Sequence, residues 1–97
     1  MNRKLIAVAA LLAAFSAQPA SAQVVVQMGA ISCEDFLASD ADRQILIASW
    51  VGGYYSASKN LNIFDSAYAK RNADVAIKYC KTHKQESFLS VVMQTAH

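Results

Sequence analysis

The chain contains only two cysteines, Cys33 and Cys80, and they lie far apart in the sequence. They allow a single intramolecular pairing, which closes a loop of about 48 residues and, in the chain-entropy model, stabilises the fold by about 4 kcal/mol. Disulfides persist in oxidising compartments and are rare in the cytosol. Whether the two cysteines join therefore depends on whether the chain is exported.

The first 22 residues have the pattern of a secretory signal peptide. Arg3 and Lys4 supply a positive start, an apolar run at residues 5–17 follows, and Ala-Ser-Ala at 20–22 is a cleavage site of the A-x-A type. The apolar run falls short of the roughly 20 residues that span a bilayer. We expect cleavage before Gln23 and a mature protein in the periplasm without a membrane anchor.

Removal of residues 1–22 changes the charge of the chain, because Arg3 and Lys4 leave with them. The full sequence has nine Lys and Arg against seven Asp and Glu, so seven of each remain in the mature chain. A net charge of zero gives no reason to expect nucleic acid binding. The mature chain is one small domain, and domains of this size usually need a disulfide or a partner to supplement a limited core.

Patterns for catalysis and metal binding are absent from the sequence. Cys80 and His83 have C-x-x-H spacing, but a tetrahedral zinc site needs three or four ligands, and only Cys33 and the terminal His97 remain. The acidic residues at 34–42 lack the spacing of an EF-hand, and no phosphate loop or nucleophile motif occurs. We therefore predict a structural disulfide, no metal or other cofactor, and no enzymatic activity.

The mature chain is predicted to be all-α, with three to four helices and one disulfide. Residues 23–31 are expected to form a loosely ordered arm and residues 32–97 the helical domain. Ser32, followed three residues later by an acid, predicts the start of a short first helix. Ser39 offers a second cap, and the pattern is helical from Asp40 to the turn residues at 59–62.

Two further helices are predicted in the second half of the domain. Asp65 or Asn72 caps the third helix, whose C-terminal end collects lysines and His83. The last helix is expected from about Gln85, since apolar residues recur there at helical spacing. No hairpin signals are present, and the mature chain contains no proline.

The central helix carries an unusually broad apolar stripe. Trp50, Val51, Tyr54 and Tyr55 are more large apolar groups than a small monomer hides easily, so part of the stripe is predicted to form a symmetric homodimer contact. Gly52–Gly53 interrupts the stripe at a cost of about 1 kcal/mol for each glycine relative to alanine. We expect another backbone to pack closely there, with a hinge as the alternative.

Charges are sorted along the sequence into an acidic segment at residues 34–42 and a basic segment at residues 70–84. Pairing of the cysteines would bring the two segments together. At about pH 2 the carboxylates are neutral and both histidines are charged, so the mature chain would carry nine positive side chains that repel one another. The residues expected to act in this pH response are Glu34, Asp35, Asp40, Asp42, Lys78, Lys81 and Lys84.

Two stretches carry a resemblance to a known family. They are S-C-E-D-F-L-A-S-D at residues 32–40 and I-K-Y-C-K-T-H-K-Q-E-S-F at residues 77–88, with a C-x-x-x-K-Q-x-x-F pattern. Behind a signal peptide, and with a final apolar helix, they resemble the HdeA/HdeB family of bacterial periplasmic acid-stress chaperones. The resemblance extends over about residues 31–95, and it is weakest in the central segment that contains W-V-G-G-Y-Y at 50–55.

The resemblance implies a small helical protein, with Cys33 and Cys80 as the family disulfide, that is dimeric near neutral pH. In strong acid such a protein dissociates, partly unfolds and covers apolar surface on denaturing client proteins, without ATP or a cofactor. Carried over by position, the candidates for dimer and client contacts are Ile45, Ile47, Trp50, Val51, Tyr54, Tyr55, Phe88, Leu89 and Val92.

A different class of protein shares the coarse features of this chain. A periplasmic binding module of the immunity-protein type is also small, helical, exported and held by one disulfide, and it acts on a single partner at neutral pH. A dimer with no function in acid is a third alternative. Aggregation of a generic client protein, measured at acidic and at neutral pH, distinguishes these alternatives.

Overall fold

The computed structural model describes residues 24–97, which form four α-helices and one short 3-10 turn. The turn is Met28–Ala30, and the helices are α1 (Cys33–Ala38), α2 (Ala41–Ser58), α3 (Ser66–Thr82) and α4 (Phe88–Thr95). Within residues 24–97 there is no strand, only an isolated bridge between Ser32 and Ser87. The predicted all-α class is confirmed. The predicted signal peptide at residues 1–22 lies outside the described residues.

All four helices begin after a side chain that accepts a hydrogen bond from the first turn. The hydroxyl of Ser32 accepts from the amide of Asp35 at 3.0 Å, which confirms the predicted start of α1. For α3 the structure selects Asp65 rather than Asn72, since the Asp65 carboxylate accepts from two first-turn amides at 2.9 and 3.1 Å. Local chemistry therefore sets where the helices begin.

The cap predicted at Ser39 is wrong by one residue. The carboxylate of Asp40 accepts from the Arg43 amide at 2.8 Å and caps α2. The Ser39 hydroxyl instead donates to the carbonyl of Asp35 at 2.7 Å, at the end of the preceding helix. Ser39 thus closes α1 while Asp40 opens α2.

The last helix begins at Phe88, three residues later than the predicted start at Gln85. The chain before it pairs with the start of α1, because the amide of Cys33 donates to the carbonyl of Glu86 at 2.8 Å. If the helix began at Gln85, the Glu86 carbonyl would accept a hydrogen bond within the helix instead of the one from Cys33. The capping residue is Ser87, whose hydroxyl accepts from the amide three residues later at 3.3 Å.

The end of α2 lies where the turn residues predict it. The helix stops at Ser58, and Asn60 adopts a left-handed backbone with φ of 56°. Asparagine is one of the few residues other than glycine that adopt this conformation readily. Residues 61–65 then connect α2 to α3 without regular structure.

The short helix α4 lies at the centre of the domain. The 3-10 turn, α2 and α3 all pack on α4, and α1 packs mainly on α3. Phe36 of α1 stacks on Phe88 of α4 with ring centroids 3.9 Å apart. The largest fully buried side chains are Phe36, Phe88, Val51, Val91, Cys33 and Cys80.

The close backbone contact predicted at Gly52 and Gly53 is wrong among residues 24–97. A Cβ atom added to either glycine would meet nothing within 4 Å beyond the local backbone of its own helix. The alternative was a hinge, but the helix is not broken there, since α2 runs as one helix through both residues. The glycines therefore leave open space beside α2.

Candidate functional site

The disulfide between Cys33 and Cys80 is confirmed, and it links the first turn of α1 to the last turn of α3. Both cysteines are fully buried, and they belong to the same core cluster as the stacked rings of Phe36 and Phe88. The bond thus lies inside the core, where it holds together elements that are far apart in sequence.

The predicted dimer and client surface is divided between the interior and the exterior of the domain. Three of its nine residues are exposed, one is half-buried and five are buried. The exposed residues are Ile45, Trp50 and Tyr54, the half-buried one is Leu89, and the buried ones are Ile47, Val51, Tyr55, Phe88 and Val92. Folded protein can therefore present only part of this set to another molecule.

The buried members of the set hold α2 onto α4. Ile47, Val51 and Tyr55 recur at every fourth position and so lie on one face of α2. The Tyr55 hydroxyl donates to the carbonyl of Ala96, just past α4, at 3.2 Å. Its buried polar group is thereby satisfied, and the end of α2 is fixed to the end of α4.

A ridge of apolar side chains lies on an outer face of α2. It consists of Leu46, Trp50 and Tyr54, which also recur at every fourth position and are all exposed. The rings of Trp50 and Tyr54 stack with centroids 5.4 Å apart and an interplanar angle of 13°. We call these three residues the α2 ridge. They form an exposed apolar strip along one side of α2.

A second exposed apolar group follows α2 in the sequence. It comprises Leu61, Ile63, Phe64 and Tyr68, in the connection to α3 and in the first turn of α3. We call this group the 61–68 wall. Sequence reasoning missed it because it treated the end of α2 only as a turn, although three large apolar residues within four positions of a polar turn are themselves a signal of a binding surface.

A groove separates the 61–68 wall from α2. Its volume is about 1150 Å³, and small residues of α2, including Gly52, Gly53 and Ser56, line one side. Its floor includes Phe88 and Val92 of α4. The groove exists because α2 and α3 both pack on α4 and make few contacts with each other.

The charged residues predicted to respond to pH lie on the surface. The acidic and basic segments come together at the backbone, where the amide of Glu34 donates to the carbonyl of Lys84 at 3.0 Å. Among residues 24–97, however, the only ion pair joins Lys70 to Asp74 at 2.8 Å within α3. The hydrogen bond to Asp74 and the negative charge of that carboxylate raise the pKa of Lys70. The seven predicted residues are exposed and form no ion pair with one another.

His83 ends α3 in the way expected of a histidine near a helix C-terminus. Its ring stacks on that of Tyr79 with centroids 3.8 Å apart, and its Nδ1 lies 2.9 Å from the Tyr79 carbonyl oxygen. Hydrogen bonding to Glu86 raises the pKa of the Tyr79 hydroxyl, with smaller contributions from burial and from the carboxylate charge. This cluster stabilises the helix end and offers no nucleophile.

The described residues offer apolar surface rather than reactive groups. Between residues 24 and 97, no three His, Cys, Asp or Glu residues come close enough to hold a metal ion together. None of the helices described is both long and apolar enough to pass through a membrane. The candidate site is therefore the α2 ridge, the 61–68 wall and the groove beside them.

These features define a small all-α domain held by a disulfide, with surfaces suited to binding apolar groups. A model of the HdeA/HdeB family matches residues 3–90, and the chain belongs to this family. The family is periplasmic and is known for acid-stress chaperone function, and its members are chaperones rather than enzymes. Comparison with curated proteins and with solved structures gave no match.

Proposed function

We propose that this protein is a periplasmic acid-stress chaperone that needs no ATP. It is a homodimer near neutral pH, and in strong acid it dissociates, partly unfolds and binds denaturing proteins before they aggregate. The observation that carries the proposal is the family match over residues 3–90. A signal peptide at residues 1–22 would deliver the chain to the periplasm, where a disulfide forms.

The division of apolar residues between core and surface supports this mechanism. The α2 ridge is available on the folded domain, whereas Ile47, Val51 and Tyr55 become available only when α2 leaves α4. Opening of α2 would therefore enlarge the apolar surface without unfolding the part of the domain that the disulfide holds together. Because the disulfide joins α1 to α3, those two helices stay linked during such an opening.

Charge repulsion provides the driving force for the opening. Seven positive and seven negative side chains balance in the mature chain, and protonation of the carboxylates and histidines leaves nine positive ones. Model carboxylates titrate near pH 4, so this imbalance develops in strong acid. Repulsion among like charges then destabilises the compact state.

The proposed dimer is tested by a charge on the α2 ridge. Tyr54→Asp should shift the protein to monomer at neutral pH, because a carboxylate in an apolar interface loses its hydration without a partner. Sedimentation of protein purified from the periplasm gives the association state. Val75→Asp is the matched control, since Val75 is a surface residue of α3 outside the ridge. Wild-type protein that is monomeric at high micromolar concentration would contradict the dimer.

The chaperone activity is tested with a generic client protein that aggregates in acid and on heating. Light scattering by the client should fall when the protein is added at about pH 2 and stay unchanged at about pH 7, where its carboxylates are charged. Protection at neutral pH, confined to one partner protein, would instead favour the immunity-type binding module. The two outcomes separate the two functions in one assay.

The acid transition itself is followed from pH 7 to about pH 2, across the range in which carboxylates titrate. Trp50 is the only tryptophan and lies on the α2 ridge, so its fluorescence reports on that surface directly. We expect loss of dimer mass, a change in Trp50 emission and binding of an apolar dye. An intact dimer with unchanged Trp50 emission and no dye bound in acid would overturn the mechanism.

A further inference from the structure

The groove between α2 and the 61–68 wall is an incomplete part of the core. Phe88 and Val92 belong to the core cluster, yet they also form the floor of the groove. Its volume of about 1150 Å³ exceeds the roughly 300–1000 Å³ of pockets that hold small ligands. A surface of this size and apolar character fits side chains of another protein molecule.

The glycine pair of α2 is explained by neither the core nor a turn. Glycine inside a helix costs about 1 kcal/mol relative to alanine, and Gly52 and Gly53 are both in the interior of α2. In the described part of the chain, Cβ atoms at these positions would meet nothing within 4 Å beyond the local backbone of α2. Their absence deepens the groove on the side of α2, so the glycines are useful only to something that enters from outside.

The exposed area shows what kind of contact can be stable. A standard interface buries about 800 Å² on each partner. We take about 200 Å² as the full surface area of a large apolar side chain. Leu46, Trp50 and Tyr54 are 70%, 47% and 49% exposed, so together they expose about 330 Å². On the same basis the 61–68 wall, with exposed fractions of 52%, 84%, 81% and 55%, amounts to about 540 Å².

Neither surface reaches the standard area alone, but together they do. In a symmetric dimer every residue pair occurs twice, because the same patches face each other across the two-fold axis. A ridge that fits the partner's groove would therefore bury both the ridge and the wall on each molecule. A contact of ridge against ridge would bury the ridge alone and leave both grooves empty.

We propose that the groove receives the α2 ridge of a second copy of this chain, and that this exchange occurs twice in the homodimer. The inference rests on the homodimer of the proposed function and specifies its geometry. The ridge extends over the nine residues 46–54, a rise of about 12 Å along the helix, and its Trp50 and Tyr54 rings already stack on each other in the single chain. Little side-chain freedom is then lost on association.

The N-terminal arm is the competing occupant within the same chain. Val24 and Val25 are exposed, but residues 24–27 have no regular structure. Ordering an extended segment in a groove costs more conformational entropy than docking a helix that is already formed. The helical ridge is therefore the favoured occupant, and the arm is an outcome that the experiment must detect.

The test uses two variants of the full chain, exported and purified from the periplasm. Trp50→Glu damages the ridge and leaves the groove intact, whereas Phe64→Lys damages the wall and leaves the ridge intact. Each variant alone should dimerise at least tenfold more weakly than wild type in sedimentation at neutral pH. An equal mixture should recover dimer, because one ridge-groove contact is intact and the introduced charges have opposite signs at the other.

Several results would overturn the proposed geometry. If Phe64→Lys dimerises like wild type, or if the mixture associates no better than its parents, the dimer stands but the groove is not part of it. Val25→Lys, at a site as exposed as Phe64 (both 81%), should leave association unchanged. A change would assign the groove to the arm: to the arm of the same chain if association is stronger, and to the arm of the partner if it is weaker. A monomeric wild type would instead remove the proposed dimer itself. Circular dichroism checks folding, and Ile63→Lys replaces Phe64→Lys if that variant does not fold.

Discussion

The two ends of α3 lie in very different surroundings. At its C-terminal end, Cys80 is bonded to α1 and belongs to the same core cluster as the stacked rings of Phe36 and Phe88. At its N-terminal end, every residue from 61 to 71 is exposed, and the groove separates the helix from α2. The same helix therefore joins a closed core to an open surface.

The difference teaches that hydrophobicity alone does not place a residue in this domain. Phe36 is 2% exposed and Phe64 is 81% exposed, although both follow or precede an acid next to a helix start. Phe36 lies on an element that the disulfide ties to α3, whereas Phe64 lies on the connection between two helices that diverge. The closed region buries its apolar side chains in the core, and the open region leaves large apolar side chains exposed.

Removal of the disulfide should give the largest effect on the closed region. The double variant Cys33→Ala with Cys80→Ala is expected to lose about 4 kcal/mol of unfolding free energy, because the unfolded chain gains the freedom of a loop of about 48 residues. Urea unfolding followed by circular dichroism measures the loss. An unchanged urea midpoint would show that packing, rather than the disulfide, holds α1 against α3. Ala38→Ser, at an exposed site of α1, is the control for a surface change.

A matched pair of substitutions compares the two regions directly. Phe36→Ala should lower the unfolding free energy by at least about 3 kcal/mol, because a buried ring is replaced by a cavity. Phe64→Ala should change it by less than about 0.5 kcal/mol, as for most surface substitutions. Unfolding is measured at protein concentrations too low for dimer, so that association does not contribute. Equal losses in the two variants would mean that the open region is folded onto the core in solution.

The smallest of these effects concerns the contact that fixes α2 to the end of α4. Tyr55→Phe removes the hydroxyl that donates to the Ala96 carbonyl at 3.2 Å and should cost about 1 kcal/mol. Tyr54→Phe, on the exposed ridge, is the control and should leave stability unchanged. Because the hydroxyl anchors only α2, hydrogen exchange should quicken there more than in α1. A uniform change across all helices would indicate that α2 does not open separately.

Much of the fold was accessible from the sequence because it depends on neighbours in the chain. Ser32 and Asp65 start helices through hydrogen bonds to amides within the next three residues. The turn residues after Ser58 end α2 through the left-handed conformation of Asn60. The disulfide followed from having two cysteines in a chain with a predicted export signal, and it needed no knowledge of the packing.

The candidate site was harder to predict from the sequence, because periodicity defines the faces of a helix but not what each face meets. The apolar stripe of α2 is broad, and only its packing on α4 separates Ile47, Val51 and Tyr55, which are buried, from Trp50 and Tyr54, which are exposed. The start of α4 was similarly misplaced because a distant backbone amide, that of Cys33, competes for the Glu86 carbonyl.

The sequence by itself determined the class of fold, the disulfide and most of the helix ends. The fold class and the helix ends depend on residues close together in the chain, and the disulfide follows from the presence of only two cysteines. Only the tertiary structure decided that Gly52 and Gly53 border open space and that residues 61–68 stay exposed. Both depend on how far α2 and α3 diverge across α4. Their separation follows from tertiary packing, because α2 and α3 each pack on α4 and make few contacts with each other.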